Sequence, residues 1–516
     1  MCAQYGYECR YNEKRRPSTV EAASSGDAPG LNVQHVSKKQ KKAASDGQSK
    51  ESPEVMVDPG ILDPFKSRYM SQNSAVAFPR TLGLDLESAN PPPLHSFAWN
   101  CGIRPEEQAS THISLMQLIT LDECIRYSEV YFSTVNHIFG IIERQQFLQT
   151  CELFWKGPVQ DIVLGAVIGG VIALGSFFSF NQGHPRETDI VRYVKGVLDD
   201  PTVSRRPSID QINAWVLRTL YLRGTTRPHI AWLSSCIAMH LAEATGLHHE
   251  AHSVLLATDN ACELVESETG ELQARRTFWV AWSLNTIMAY EYGRSRRNFD
   301  SISCKPVVPV EGDFTAQHIL LARLIPGDNT DAETQREELQ EGLRKLQQIP
   351  DVKDFTCLTR ADICFCFYRR LRLLKQNLDK ETISCILDIG DKAVEASYDF
   401  AQKSCPWWNI LGTPFQYFCV LLALDTSESL AKLSWVLKRL EAIVQTLNTP
   451  LALEALDTAK VLLRDSMAKK RQELSLLESA DSTHILNLER EMDINWDALL
   501  DPSYSEVLMT QEFTTY

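Results

Sequence analysis

From Ile162 to Phe180 the chain reads IVLGAVIGGVIALGSFFSF, 19 residues without a charge. A helix of that length can cross a hydrocarbon core. Gly165, Gly169 and Gly170 also carry the small-residue spacing with which membrane helices pack. A helix apolar on all sides belongs either in a bilayer or at the centre of a large protein. The flanks favour the second: Asp161 precedes the stretch, Gln182 and His184 follow it, neither end has a Lys/Arg excess, and no second span occurs elsewhere. The expectation is a buried central helix with no membrane partner; a membrane-associated scaffold is the competing reading.

A buried helix of this kind needs a large surrounding core, and 516 residues of which 44% are hydrophobic can supply one. The net charge of −14, from 52 Lys+Arg against 66 Asp+Glu, excludes a protein that coats nucleic acid through its whole surface. Any nucleic-acid contact is therefore local. No charged n-region, apolar h-region and small-residue cleavage site open the sequence, so secretion is not expected and the 14 cysteines read as free thiols. In ADICFCFYRR, Cys364 and Cys366 read as small buried hydrophobes.

Composition divides the chain. Residues 18–95 are rich in Ser, Pro, Gly, Ala and charge and end in Pro91-Pro92-Pro93, which predicts a disordered linker. Helical periodicity runs from Ser114 to Leu477 and alternating strand patterns are nearly absent, so the fold class is all-α: a multi-helix body between a disordered linker and a C-terminal tail. Thr120 with Glu123 predicts a helix start, with Ile125, Ser128, Tyr131, Phe132 and Val135 on its buried face. Two helices joined at Gly224 to Pro228 predict a hairpin whose second helix ends at Gly246. A further helix through ELQARRTFWVAWSLNTIMAYEYGR ends at Gly293.

These middle segments carry a resemblance. The order YFSTVNHIFGIIERQQF, apolar helix, YLRGTTRPHIAWLSSCIAMHLAEATGLHHE, then ARRTFWVAWSLNTIMAYEYGRSRRNFDSISCKPVVP is similar to the regulatory middle homology domain of fungal binuclear zinc-cluster transcription factors. The most specific piece is Arg275-Arg276-Thr277-Phe278-Trp279 followed by Gly293-Arg294; Ser295 stands where that family usually has Pro. On physical grounds Phe278, Trp279 and Trp282 are core residues, and Arg275 or Arg276 is placed to bond carboxylates or helix-end carbonyls. The resemblance implies a helical regulatory middle domain over 96–310 that lacks catalytic machinery and senses an effector metabolite or partner, a helical extension over 311–478, promoter DNA as partner, and a nuclear location. It leaves homodimer formation open.

It also gives the opening MCAQYGYECRYNEKRRPST a meaning. Family members resemble Cys-x2-Cys-x6-Cys repeated after a loop, with thiolates holding two zinc ions. Cys2 and Cys9 match the last two of those cysteines, so residues 1–17 read as the remnant of a zinc cluster in a fragment of a longer factor. Two thiolates do not complete a tetrahedral zinc site, and zinc is expected as cofactor of the longer parent. Lys14, Arg15 and Arg16 are the candidate DNA phosphate contacts. Lys38, Lys39, Lys41 and Lys42 read as a nuclear-import signal, a phosphate contact or a solvated linker.

His248 and His252 in HHEAH stand in the wrong order for a metalloprotease helix. They read as a cluster at a helix C-terminus, where imidazoles meet free carbonyls, and no enzyme activity is expected. Residues 479–516 mix acids with Trp496, Leu499, Leu500, Tyr504, Leu508 and Phe513. That composition suits either a coactivator-binding segment or an ordinary disordered tail. The alternative to a DNA-binding regulator is a helical interaction protein without a zinc cluster.

Overall fold

A computed structural model describes residues 61–63, 68–70, 74–92, 101–104, 114–158, 161–200, 203, 207–249, 268–299, 302–327, 331–350 and 355–491. Cys2, Cys9, Lys14, Arg15, Arg16, the lysines at 38–42, His252 and residues 492–516 lie outside them.

The apolar stretch is the centre of the fold. Asp161 caps it by accepting from Val163 N (2.8 Å) and Leu164 N (3.2 Å), and helix α4 runs Ile162–Phe178 with Gly165–Phe178 buried. Around it pack α2 (Leu121–Thr134), α5 (Glu187–Leu198) and α6 (Ile209–Thr225). Its glycines are the points of closest approach. A Cβ at Gly175 would lie 2.0 Å from the Tyr127 carbonyl oxygen of α2, one at Gly169 2.6 Å from Val194 of α5, and one at Gly170 2.9 Å from Leu217 of α6. The small-residue spacing therefore serves helix packing inside the protein. No helix among the described residues is long and apolar enough to cross a membrane.

Thr120 and Glu123 form the expected capping box at the start of α2. Ser128, Tyr131 and Val135 are buried and Phe132 half-buried, but Ile125 is 37% exposed. The buried stripe runs through Cys124, Tyr127, Ser128 and Tyr131, and Ile125 stands about 100° away from Cys124 around the helix. Helix α3 (Arg144–Lys156) packs against α2. The hairpin forms as expected: α6 ends at Thr225, α7 (Pro228–Ala244) starts on its proline, and Gly246 closes it at φ +74°. Helix α8 (Glu268–Tyr292) lies against α6 and α7 and ends at Gly293, φ +64°.

Seven more helices follow among the described residues: α9 (Thr315–Arg323), α10 (Ala332–Gln348), α11 (Phe355–Leu373), α12 (Lys380–Gln402), α13 (Asn409–Leu424), α14 (Ser427–Leu447) and α15 (Pro450–Glu491). Their core is continuous with the first. Trp407 is 4.1 Å from Phe355 and 4.5 Å from Phe178, centroid to centroid, so α4 and α11 meet across one aromatic cluster. Cys364 and Cys366 are buried free thiols within it.

The expectation of a linker throughout residues 18–95 is corrected by the segment 74–92. Helix α1 (Phe78–Asp85) buries Phe78 and Leu82, and Ser74 to Ala77 are buried ahead of it. Mean composition hid this because the few apolar residues fall on one side of a short helix, whose partners lie hundreds of residues away. Phe78 meets the edge of Tyr368 at 6.4 Å, and α1 packs on α13. Further upstream β1 (Ile61–Asp63) and β2 (Arg68–Met70) pair antiparallel, Ile61 opposite Met70. This small hairpin leaves the all-α class unchanged.

Candidate functional site

The Arg-Arg-x-x-Trp segment turns out to be a clamp. Arg276 donates to the Gly140 carbonyl and to Asp313, and its Nη2 reaches Thr315 Oγ1 at 3.0 Å. A Cβ at Gly140 would lie 2.0 Å from Arg276 Nη2, so a larger residue there would displace that guanidinium from its partners. Arg275 pairs with Glu271 on its own helix (3.2 Å). Phe278 and Trp279 are buried, Trp282 is half-buried, and Trp279 Nε1 donates to the Lys305 carbonyl at 2.7 Å. Past Gly293, Arg294 lies over the Tyr292 ring at 5.1 Å, and Arg297 grips Glu243 of α7 through two bonds of 2.7 and 2.8 Å. These residues fasten the segment that leaves α8 back onto α7 and α8; paired guanidinium and carboxylate groups give such a clamp its geometry.

A second polar assembly joins the middle of the chain to its C-terminal helices. Buried Arg223, near the end of α6, holds Glu291 of α8 at 2.9 Å and lies 5.2 Å from the Trp408 ring. Beside them Asp362 of α11 accepts from Asn409 Nδ2 (2.9 Å) and Thr413 Oγ1 (2.6 Å), both of α13. Arg369 donates to Gln416 (3.1 Å), which donates to the Ala75 carbonyl (2.7 Å), while Ala75 N donates to the Glu291 carbonyl (3.0 Å). The N-terminal strap 74–92 is thus tied into the same assembly. Its cavity, about 10 Å³, is at the limit of what a water molecule occupies. Burial, and then the neighbouring Glu291 carboxylate, push the Asp362 carboxyl up to about 7, with Thr413, Asn409 and Arg223 opposing. Sequence reading missed Arg223, Glu291 and Asp362. Their signal was charge set inside an apolar run, as in WVLRTLYLRGT and IMAYEYGR.

A cleft of about 650 Å³ opens between α11, α12 and α14. Cys357, Ala396, Phe400, Ala431 and Trp435 give it apolar walls, and its rim alternates in charge. Asp391 pairs with Lys432 (2.7 Å), Glu395 with Arg439 (3.0 Å) and Lys392 with Asp388 (2.6 Å). An apolar cleft with a few fixed polar groups suits a small amphiphilic molecule. Asp399 and Lys403 on the same rim are exposed.

His248 stacks on Phe299 at 4.9 Å and lies beside His249, whose Nδ1 is 3.2 Å from Ser303 Oγ. Burial and His249 lower its pKa; Glu243 and the Ala242 carbonyl of the last turn of α7 act in the opposite direction. Among the described residues no group of three or more His, Cys, Asp or Glu side chains is arranged to hold a metal ion.

Residues 129–315 match the family described as Fungal specific transcription factor domain. The chain is 47% identical to Protein RDR1 of Saccharomyces cerevisiae over 98% of its own length and 92% of that protein's. It is 31% identical to Transcription factor kojR of Aspergillus oryzae, covering 93% and 82% of the two chains. A 24% identity with Probable transcriptional repressor C1348.12 of Schizosaccharomyces pombe covers 54% and 60%. The matched segment holds the Arg276 clamp and the Arg223–Glu291 pair; the cleft lies beyond it.

Proposed function

The chain belongs to the fungal transcription factors that carry the fungal specific transcription factor domain, and from that premise we propose that it regulates transcription in the nucleus by acting at promoter DNA, with its helical body as the receiver of a small-molecule signal. The observation that carries the reading is the identity with transcription factors over nearly the whole chain. Lys14, Arg15 and Arg16 are the proposed phosphate contacts, which position a protein on DNA without reading sequence. Zinc takes four ligands, and Cys2 with Cys9 offers two, so this pair does not by itself fit a structural zinc. The effector site is the cleft walled by Phe400 and Trp435. The acidic, aromatic-bearing residues 479–516 are the proposed coactivator contact.

Chromatin immunoprecipitation of the tagged full chain tests the reading. Enrichment at a recurrent promoter element, reduced when Lys14, Arg15 and Arg16 are replaced by alanine, is the expected outcome. Occupancy no higher than in an untagged strain would overturn promoter action.

A further inference from the structure

Beyond the Arg297–Glu243 clamp, residues 302–309 cross the surface as neither helix nor strand, and within them burial repeats at every third residue. Cys304 (6% exposed) and Val307 (7%) face the body, while Lys305, Pro306, Val308 (69%) and Pro309 are exposed. A strand would bury every second residue; a period of three outside an α-helix is that of polyproline II. The run Lys305-Pro306-Val307-Val308-Pro309 imposes that form. Each proline fixes its own φ at about −65° and confines the residue before it to extended backbone, and both X-Pro bonds are trans.

The body holds this segment from one side. Ser303 N and Cys304 N donate to the His248 carbonyl (3.0 and 3.1 Å), and Trp279 Nε1 donates to the Lys305 carbonyl (2.7 Å). Two X-Pro pairs remain on the outside, Lys305-Pro306 and Val308-Pro309, one polyproline turn or about 9 Å apart.

That spacing chooses the occupant. Aromatic-lined grooves of the SH3 kind read Pro-x-x-Pro by seating two successive X-Pro pairs between their rings, and the residue just after the first proline points away from the groove. Here that residue is Val307, the one the fold buries. Charge narrows the choice further. Lys305 stands in the first pair, and exposed Arg323 lies 4.2 Å from the ring of Trp279, the side chain that holds the Lys305 carbonyl. Exposed Glu311 stands past the other end. A groove whose acidic rim lies at the Lys305 end complements this polarity.

We propose that residues 305–309 are a docking site for an SH3-type domain with an acidic groove rim, a protein contact separate from promoter DNA and from the cleft of Phe400 and Trp435. Because the body already holds the polyproline form, docking does not have to order it.

The test titrates the fluorescently labelled full chain against an array of purified fungal SH3 domains, with WW domains alongside. Binding to at least one SH3 domain with an acidic rim is expected. Val308→Asp, at a side chain exposed to solvent, lowers that affinity at least tenfold while circular dichroism and the melting temperature of the chain stay unchanged. Pro306→Ala combined with Pro309→Ala has the same effect, and Lys305→Glu weakens binding more at low salt than at high. Replacing the groove tryptophan of the SH3 domain by lysine abolishes binding without altering this chain at all. No binding anywhere in the array, binding that survives Val308→Asp or the groove substitution, or binding to WW domains alone would each overturn the proposal.

Discussion

Asp362 and Glu291 bring two buried carboxylates beside the Arg223 guanidinium, and one cation does not neutralise both. Burial first, and then the Glu291 carboxylate, keep the proton on Asp362 up to about pH 7, against an ordinary value of 3.8. Asn409 Oδ1 is buried without a hydrogen bond, and rotating that amide presents it to the protonated acid. A raised carboxyl contributes stability that is complete below its unfolded-state pKa and is lost as the pH rises through about 7. Buried His318 does the opposite. Burial lowers it from 6.5 to about 3, so its contribution is complete above 6.5 and is lost as the pH falls. Between the two unfolded-state values the slopes cancel. We predict that Asp362→Asn exposes the histidine: the variant loses on the order of 3 kcal/mol between pH 6.5 and 4 relative to the wild-type profile. Urea denaturation at a series of pH values measures this, and parallel profiles would contradict it.

At the scale of the element, α4 is held by glycines that admit its neighbours to backbone contact. Gly175→Ala would drive a methyl group into the Tyr127 carbonyl, which is backbone and has no rotamer to escape through. We expect a loss of about 3 kcal/mol in urea denaturation, the upper end for an overpacked core; stability within about 0.5 kcal/mol of wild type would contradict the packing. This helix was legible in the sequence because absence of charge is a local signal. So were the Thr120 cap, the break at Pro228 and the Gly246 turn, each written in a few neighbouring residues. What was not legible depends on distance along the chain. Ala75 meets Gln416, and Arg276 meets Gly140 and Asp313; neither end of such a pair shows its partner. The strap was read as linker for the same reason. The cleft escaped notice because α12 and α14 have the periodicity of ordinary amphipathic helices, and periodicity does not show that two faces fail to close over Phe400 and Trp435.

The whole molecule joins these parts through one core. Trp407 meets both α4 and α11, and the Arg223 assembly ties α6 and α8 to α11 and α13, so the matched family segment and the C-terminal helices form a continuous apolar interior. The strap inserts Phe78 beneath Arg369 and bonds through Ala75 to both Glu291 and Gln416. The chain that leads toward Lys14, Arg15 and Arg16 therefore starts from the junction between those two regions. A ligand seated between α11, α12 and α14 touches the helix that bears Asp362 and Arg369, which gives the proposed effector site a physical path to the strap. The claim on which all of this rests is that the chain alters transcription. Its most direct measurement fuses the full chain to a heterologous DNA-binding domain upstream of a reporter gene. The account predicts output that differs several-fold from that of the DNA-binding domain alone, in either direction; output indistinguishable from that control, with the fusion present at equal level in the nucleus, would contradict it.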